Sequence, residues 1–409
     1  MQQLRFVIIG IGGYSLVHLA AIDWLQEQGL AQLTGVVALE SERKTKPELI
    51  RSLQDKGIPL YGTIDDFFQN GTDTADVLTV PIGIHQHVPV SIRAMQHGLD
   101  VYCEKPLAAT VQEADALIEV KNETGRKIAV GYQHIYSNSM QQLKRLIHDG
   151  KLGRVQSISL LCGWPRSKQY YRRNNWAGKL KLSEHWILDS PANNAHAHYL
   201  LNTLYLASPL PQQAANPAEL RAELYRANHI ESADLAQIKF RTDTGADCFI
   251  SFAHCNQTEL GPKMSLQCEK GKVYWQTDNG KTEIKYTNGE TEEFDNLTHE
   301  KWRFDGFKDF VSAVRENRQP LCTPELARAQ TQAVSAMHRS CPEIVTIPEG
   351  HIIEIEDWEM FPPDTRGDFR RVKNLDDYLK KSFTENLFFS EMGLSWAKGI
   401  DAKWVQARG

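Results

Sequence analysis

A short apolar run that breaks into glycines, and then into a helical pattern, constrains this chain more than any other feature. Residues 5–15 read Arg-Phe-Val-Ile-Ile-Gly-Ile-Gly-Gly-Tyr-Ser. That order predicts a buried strand, a tight turn and a helix. About ninety residues later, residues 100–107 read Asp-Val-Tyr-Cys-Glu-Lys-Pro-Leu, a second buried strand ending in Glu104-Lys105-Pro106. Open parallel sheets bind ligands at the carboxyl ends of their strands. The first motif therefore points to a dinucleotide, and the second puts an ammonium group at a strand's carboxyl end. Together they point to a nicotinamide enzyme.

The pattern around these motifs predicts an α/β fold. Strands are expected at residues 5–9, 33–39, 77–80, 100–103 and 127–130, with helical stretches at 15–28, 46–56 and 88–97 between them. Alternation of this kind argues a parallel, doubly wound sheet, a Rossmann domain. After Gly131 the pattern changes. A helix is expected at 139–149. Strand-like runs that alternate apolar and polar residues follow at 155–162, 234–241, 247–254, 264–269 and 272–276. These predict a C-terminal α/β domain with a large, mostly antiparallel open sheet. Further helices are expected at 304–316 and 324–339. The division expected is residues 1–130 for the nucleotide domain, 131–340 for a substrate-binding and oligomerisation domain, and 341–409 for an extension. The extension carries Trp358, Phe361, Phe369, Tyr378, Phe388, Phe389, Trp396 and Trp404, too many aromatics for disorder. It is expected to pack on the second domain or on a neighbouring subunit.

With 409 residues, the chain has room for two domains. Its formal net charge of -5 gives no reason to expect nucleic acid or an anionic membrane as partner. No apolar run is long enough to span a bilayer, and the glycines of the first turn interrupt what would otherwise resemble a signal peptide. A cytoplasmic protein is expected. The seven cysteines are odd in number and contain no Cys-x-x-Cys, which argues against a disulfide framework or a structural zinc site.

Gly10, Gly12 and Ser15 fit G-x-G-x-x-G/A with serine at the third place. Gly10 permits the turn, Gly12 lets backbone approach a pyrophosphate, and a small third residue lets helix pack on strand. Gly13 and Tyr14 complete that turn. The plain alternative is a glycine turn with no ligand. Glu40 ends the second apolar strand, where an acid would hydrogen-bond the ribose hydroxyls of NAD and repel a 2'-phosphate. Arg43 and Lys44 follow closely and could hold that phosphate, so NAD is favoured with NADP as the alternative. Lys105 is a lysine at a strand end stiffened by Pro106, able to hold a substrate hydroxyl and ease its deprotonation. An exposed loop lysine is the competing reading.

Asn194 and His198 stand four apart in a helical pattern, and such a pair could orient a sugar hydroxyl and accept its proton. A satisfied core histidine is the bland alternative. Metal readings of His196 with His198, or of His85 with His87, lack a third ligand, and no metal is expected. The stretch from Tyr170 to Trp176 is dense in aromatics and donors, which suits carbohydrate. A surface loop with buried anchors competes with that reading.

At this point the residues resemble the glucose-fructose oxidoreductase / inositol dehydrogenase / rhizopine catabolism family, Gfo/Idh/MocA, over about residues 4–340. The ordered set carries the resemblance: the turn at Gly10, Thr79-Val80-Pro81 through His85, Glu104-Lys105-Pro106, and Gly131-Tyr132-Gln133-His134. Leu146 through Gly153 and the late helix with Gln319-Pro320 follow. The resemblance implies NAD(P)-dependent oxidation or reduction of sugars, cyclitols and their derivatives, in a homo-oligomer, dimer or tetramer, often built on the open sheet. Pro81, His85 and Glu104 then join the glycine turn, Glu40, Arg43 and Lys105 as cofactor contacts. Lys105 and His198 become the acid–base pair, Asn194 orients substrate, and His134, Tyr171 and Trp176 line the pocket. The family's aspartate falls on Asn194, which cannot take a proton. Either His198 works alone, or Asp189 substitutes, or the reaction differs. Two alternatives follow: a glycosidase or lyase that recycles NAD through oxidation and elimination, and a non-catalytic dinucleotide-binding protein.

Overall fold

The computed structural model describes residues 3–277, 280–358 and 367–407. Phe361 of the aromatic extension lies outside the described residues. The chain divides into two compact units, Met1–Ala108 with Gln112–Gln133 and Lys301–Arg328, and Ala109–Val111 with His134–Glu300 and Ala329–Gly409. Residues Lys301–Arg328 were assigned by chain order to the second domain, yet they pack in the first unit. The Phe307 ring stacks on Tyr102 at 3.8 Å, a contact between residues far apart in sequence.

The first unit holds six parallel strands. These are β1 (Leu4–Ile9), β2 (Ala31–Val37), β3 (Leu60–Tyr61), β4 (Val77–Val80), β5 (Asp100–Cys103) and β6 (Ile128–Val130). Their order is β3-β2-β1-β4-β5-β6, the doubly wound Rossmann arrangement. Phe6, Val7, Ile8, Val77, Leu78 and Val101 are fully buried, as strands covered on both faces require. Beside β4, the helix runs from Ile84 to Gln96, starting four residues before the sequence expectation. Pro89 lies inside this helix, where it supplies no backbone N–H to the ladder.

The second unit begins its sheet with β7 (Val155–Gly163). A small hairpin, β8 (Lys181–Leu182) and β9 (His185–Trp186), follows. Then come β10 (Pro217–Arg226), β11 (Leu235–Thr242), β12 (Asp247–Ala253), β13 (Leu260–Cys268), β14 (Gly271–Gln276), β15 (Lys281–Tyr286) and β16 (Thr291–Asp295). The extension adds β17 (Val345–Thr346), β18 (Ile352–Trp358), β19 (Gly367–Val372) and β20 (Val405–Gln406). The large sheet has ten strands in the order β16-β15-β14-β13-β7-β12-β11-β10-β17, with β20 beside β10. All its pairings are antiparallel except β7 with β12 and β10 with β17.

Register gives this sheet two distinct faces. Ala222, Ile238, Ile250 and Leu160 lie side by side across β10, β11, β12 and β7, all fully buried. The alternate residues carry the extension. Ser159 Oγ donates to Asn386 Oδ1 at 2.7 Å, and Phe389 N–H donates to Gln237 Oε1 at 2.6 Å. Lys239 pairs with Glu391 at 2.7 Å. Tyr225, Phe389 and Trp396 form an aromatic group with ring centroids 5.1–5.9 Å apart. The segment 389–396, opaque in sequence, is thus a plug on the sheet.

The helix Ala197–Ala207 carries His198 in its first turn. Its carboxyl end is held by Lys144, which is almost fully buried and donates to the carbonyls of Tyr205, Ser208 and Gln213 at 2.5, 2.7 and 3.0 Å. Burial pushes this ammonium down to about 7. The Tyr205 and Ser208 carbonyls stand at the helix's carboxyl end, where the dipole is negative, and with the loop carbonyl of Gln213 they suit a cation. Lys144→Met is expected to leave them unpaired and cost about 3 kcal/mol or more, read from the urea midpoint. A loss under about 1 kcal/mol would mean that solvent reaches them.

Candidate active site

In the first unit the glycine turn is built as its sequence requires. Gly10 has φ +86° and Gly13 has φ +53°, conformations that glycine adopts without strain. A Cβ on Gly10 would stand 2.8 Å from Ser15 Oγ, and that hydroxyl donates to Ile9 O at 3.2 Å. The helix that follows, Ser15–Glu27, has no side-chain cap and no acid in its first turn. Its amino-terminal N–H groups and positive dipole end therefore suit a pyrophosphate. Tyr14, at the cap position, donates through its hydroxyl to Gln133 Oε1 at 3.2 Å.

The acid at this turn is Glu42 rather than Glu40. β2 stops at Val37, and residues Glu40–Thr45 coil into a short helix. That helix turns Glu40 to solvent, where it pairs with Lys44 at 2.7 Å. It turns Glu42 inward, where its carboxylate accepts from Ile11 N–H and Leu39 N–H, each at 3.1 Å. Arg43 Nε donates to Ala38 O at 2.9 Å.

Glu104 organises the end of β5. It is buried, its Oε1 lies 3.0 Å from His18 Nε2, and its Oε2 accepts from the Lys105 N–H at 3.1 Å. A side chain at Gly131 would fall on the Glu104 carboxylate, which explains the glycine there. Lys105 is half-buried, and Pro106 and Leu107 are buried behind it. His87, read from sequence only as a weak metal candidate, has a different part. Its Nδ1 lies 2.7 Å from Pro106 O and its Nε2 3.0 Å from Ile82 O, so the ring bridges the segments after β4 and β5. Burial lowers its pKa, and a neutral ring donates to one of the two carbonyls. Pro81 and His85 are half-buried beside it in sequence. His18, Glu104 and His87 hold Lys105's backbone. Motif reading named only Glu104 of the three, because the spacing of the other two means nothing until the sheet is folded.

In the second unit, Asn194 does not share a helix with His198. The helix begins at Ala197, and residues 191–196 form turns closed by Asn194 N–H to Ser190 O at 2.9 Å. The helical spacing expected for the pair is thus absent. Asn194 Nδ2 instead donates to Asp189 Oδ1 at 2.8 Å, and Asp189 Oδ2 accepts from Gly178 N–H at 2.6 Å. Asp189, considered as a substitute carboxylate, is therefore bonded to the asparagine. His134 and His198 face each other with ring centroids 4.6 Å apart, and Tyr199 lies edge-on to His134 at 5.1 Å. His196 packs against Trp164, Phe252 and His254, away from this pair. Trp176 is half-buried, with the Arg173 guanidinium 5.2 Å from its ring. Among the described residues no cluster of His, Cys, Asp or Glu is placed to hold a metal ion. Nor is any described helix long and apolar enough to cross a membrane.

Residues 4–132 match the model of the oxidoreductase family with NAD-binding Rossmann fold, Gfo/Idh/MocA. The match covers this N-terminal part of the chain. Among curated proteins, the chain is similar to the Bacillus subtilis protein named as oxidoreductase YteT, at 34% identity over 181 residues, 39% of this chain and 42% of that one. It is also similar to 2,7-anhydro-N-acetylneuraminate hydratase of Mediterraneibacter gnavus, at 27% identity over 155 residues, 38% of each chain. The match therefore spans about four tenths of the length of these two relatives. Among solved structures, the WlbA dehydrogenase of Bordetella pertussis, in complex with NADH and UDP-GlcNAcA, shares the fold. Its TM-score is 0.67 at 22% identity, over 83% of this chain and 96% of that one.

Proposed function

We propose that this chain is an NAD(P)-dependent oxidoreductase that moves a hydride between a nicotinamide and a hydroxyl or keto carbon of a sugar, cyclitol or sugar derivative. The observation that carries this reading is the pairing, on one Rossmann sheet, of the glycine turn with a lysine whose backbone is fixed at the end of β5 by Glu104. Bound NAD supplies the hydride acceptor. Lys105 donates a hydrogen bond to the reacting oxygen and stabilises the negative charge that grows there as its proton leaves. His198 takes that proton. Asn194, its amide held by Asp189, orients the substrate, with His134, Tyr171 and Trp176 as neighbouring walls. Pro81 and His85 serve the cofactor side, and the active form is a homo-oligomer.

A second reading has specific support. One relative is named a hydratase, and Asn194 offers no exchangeable acid where the family has one. Oxidation, elimination or water addition, and re-reduction would then proceed on the same residues with no net NADH.

Separate fluorescence titrations with NADH and NADPH test the cofactor half of this reading. Saturable binding with preference for NADH is expected, because the Glu42 carboxylate at the turn repels a 2'-phosphate. Glu42→Ala is expected to narrow that preference about tenfold, roughly 1.4 kcal/mol. Preference for NADPH in the unaltered chain would reverse the cofactor assignment, and no binding of either would remove the oxidoreductase reading.

A further inference from the structure

A cavity of about 320 Å³ opens within the second unit, lined by Lys168, Tyr171, Arg172, Lys179, Asn228 and Arg370 among others. It is of the size that small-molecule sites have. Two of its four cations are already compensated. Arg370 donates to Glu349 and Glu354, and Lys168 pairs with Glu354 at 2.8 Å. Arg172 and Lys179 make no ion pair among the described residues. The one acid in the described lining is Glu231, which accepts from Leu180 N–H at 3.3 Å. Positive charge is thus in excess.

Two residues of the lining each carry a buried polar atom without a hydrogen-bond partner, Tyr171 Oη and Asn228 Oδ1. Asn228 is only 4% exposed. Its orientation is fixed, because Nδ2 donates to Asp234 Oδ2 at 2.7 Å and the backbone N–H to the same oxygen at 2.8 Å. A flipped amide would set oxygen against carboxylate, so Oδ1 needs a donor from elsewhere. The Tyr171 phenol is pushed well up by burial and then by Asp234, so it keeps its proton and can donate. A buried acceptor and a buried hydroxyl beside unpaired cations match a ligand with ring hydroxyls and a negative group. The wall of the cavity reaches Asn194 through two bonds, Gly178 N–H to Asp189 and Asn194 Nδ2 to Asp189.

We propose that this cavity receives the acidic end of an anionic carbohydrate, a uronate or a sugar phosphate. Arg172 and Lys179 meet the acid group, and Tyr171 Oη and Asn228 Oδ1 meet hydroxyls. The inference rests on the oxidoreductase reading only for what the chain does to this ligand.

Calorimetric titration of the full chain, with no nicotinamide present, tests it. The probes are D-glucuronate, D-galacturonate, glucose 6-phosphate, glucose, galactose and inorganic phosphate, each alone. At least one acidic sugar is expected to bind tenfold or more tightly than its neutral counterpart and than inorganic phosphate. Arg172→Ala with Lys179→Ala is expected to bring that ratio below about twofold, with thermal midpoint unchanged because both side chains reach solvent. Tyr171→Phe, which keeps the ring, is expected to weaken every sugar that binds. Equal binding of acidic and neutral sugars, a preference that survives the double variant, or inorganic phosphate binding as tightly as glucose 6-phosphate would each overturn the proposal. Failure of the oxidoreductase reading looks different: acidic sugars still bind here, but NAD is never reduced.

Discussion

Lys105→Ala is expected to lower turnover at least about 10²-fold while leaving NADH affinity within about twofold, as loss of a positioned acid–base group does. The separation follows from how the residue is held. Its backbone N–H is tied to Glu104, itself fixed beside His18 and under Gly131, so trimming the side chain beyond Cβ leaves that frame intact. What disappears is the ammonium at the end of β5. Lys105→Arg should not restore the rate, because a planar guanidinium is not a compact point charge and does not readily exchange a proton. Steady-state kinetics beside a fluorescence titration of each variant reads both quantities. Unchanged turnover with tight NADH binding would remove Lys105 from the chemistry.

Phe389→Ala is expected to cost about 3–5 kcal/mol of stability, the range for emptying a large aromatic from a packed core. Phe389 is fully buried against Tyr225 and Trp396, and its N–H is committed to Gln237, so the site has little room to relax. Glu223 adds to the lock. It is a fully buried carboxylate that accepts from Tyr225 Oη at 2.6 Å and from Ser390 N–H at 3.2 Å. Urea unfolding reads the loss as a lower midpoint with little change in slope. A loss below about 1 kcal/mol would mean that the extension sits loosely on the sheet. The same packing bears on assembly. Where residues 386–397 cover the alternate face of β7, β10, β11 and β12, a second copy cannot dock, so a homo-oligomer must use other surface.

The nucleotide half was legible because its signals are local. Fully buried parallel strands read as continuous apolar runs, and Gly10 must be glycine wherever the chain turns so tightly. The second half hid where tertiary contacts override local preference. Pro217–Arg226, Pro-Ala-Glu-Leu-Arg-Ala-Glu-Leu-Tyr-Arg, has helix-forming composition and went unread as a strand, yet pairing with β11 and burial of Leu220, Ala222 and Leu224 make it one. A short helix after β2 sets Glu42 against the glycine turn and leaves Glu40 in solvent beside Lys44, a placement that strand-end counting cannot see. The spacing of Asn194 and His198 predicts one helix, but residues 191–196 form turns and the helix starts only at Ala197. The plug at 389–396 rests on partners over a hundred residues away in sequence, and the cation-lined cavity gathers residues 168–179, 228–231 and 370, so no pattern along the chain announces either.

The central claim is hydride transfer, common to the dehydrogenase and the recycling reading. Rapid mixing of the NAD-loaded protein with the acidic and neutral sugars, followed at the absorbance of reduced nicotinamide, tests it most directly. An increase that persists is expected for a dehydrogenase, and an increase that decays as product forms for a recycling enzyme. In both, Lys105→Ala should suppress it. A protein that binds NAD and a sugar yet gives no reduced nicotinamide on any timescale with any sugar would contradict the account.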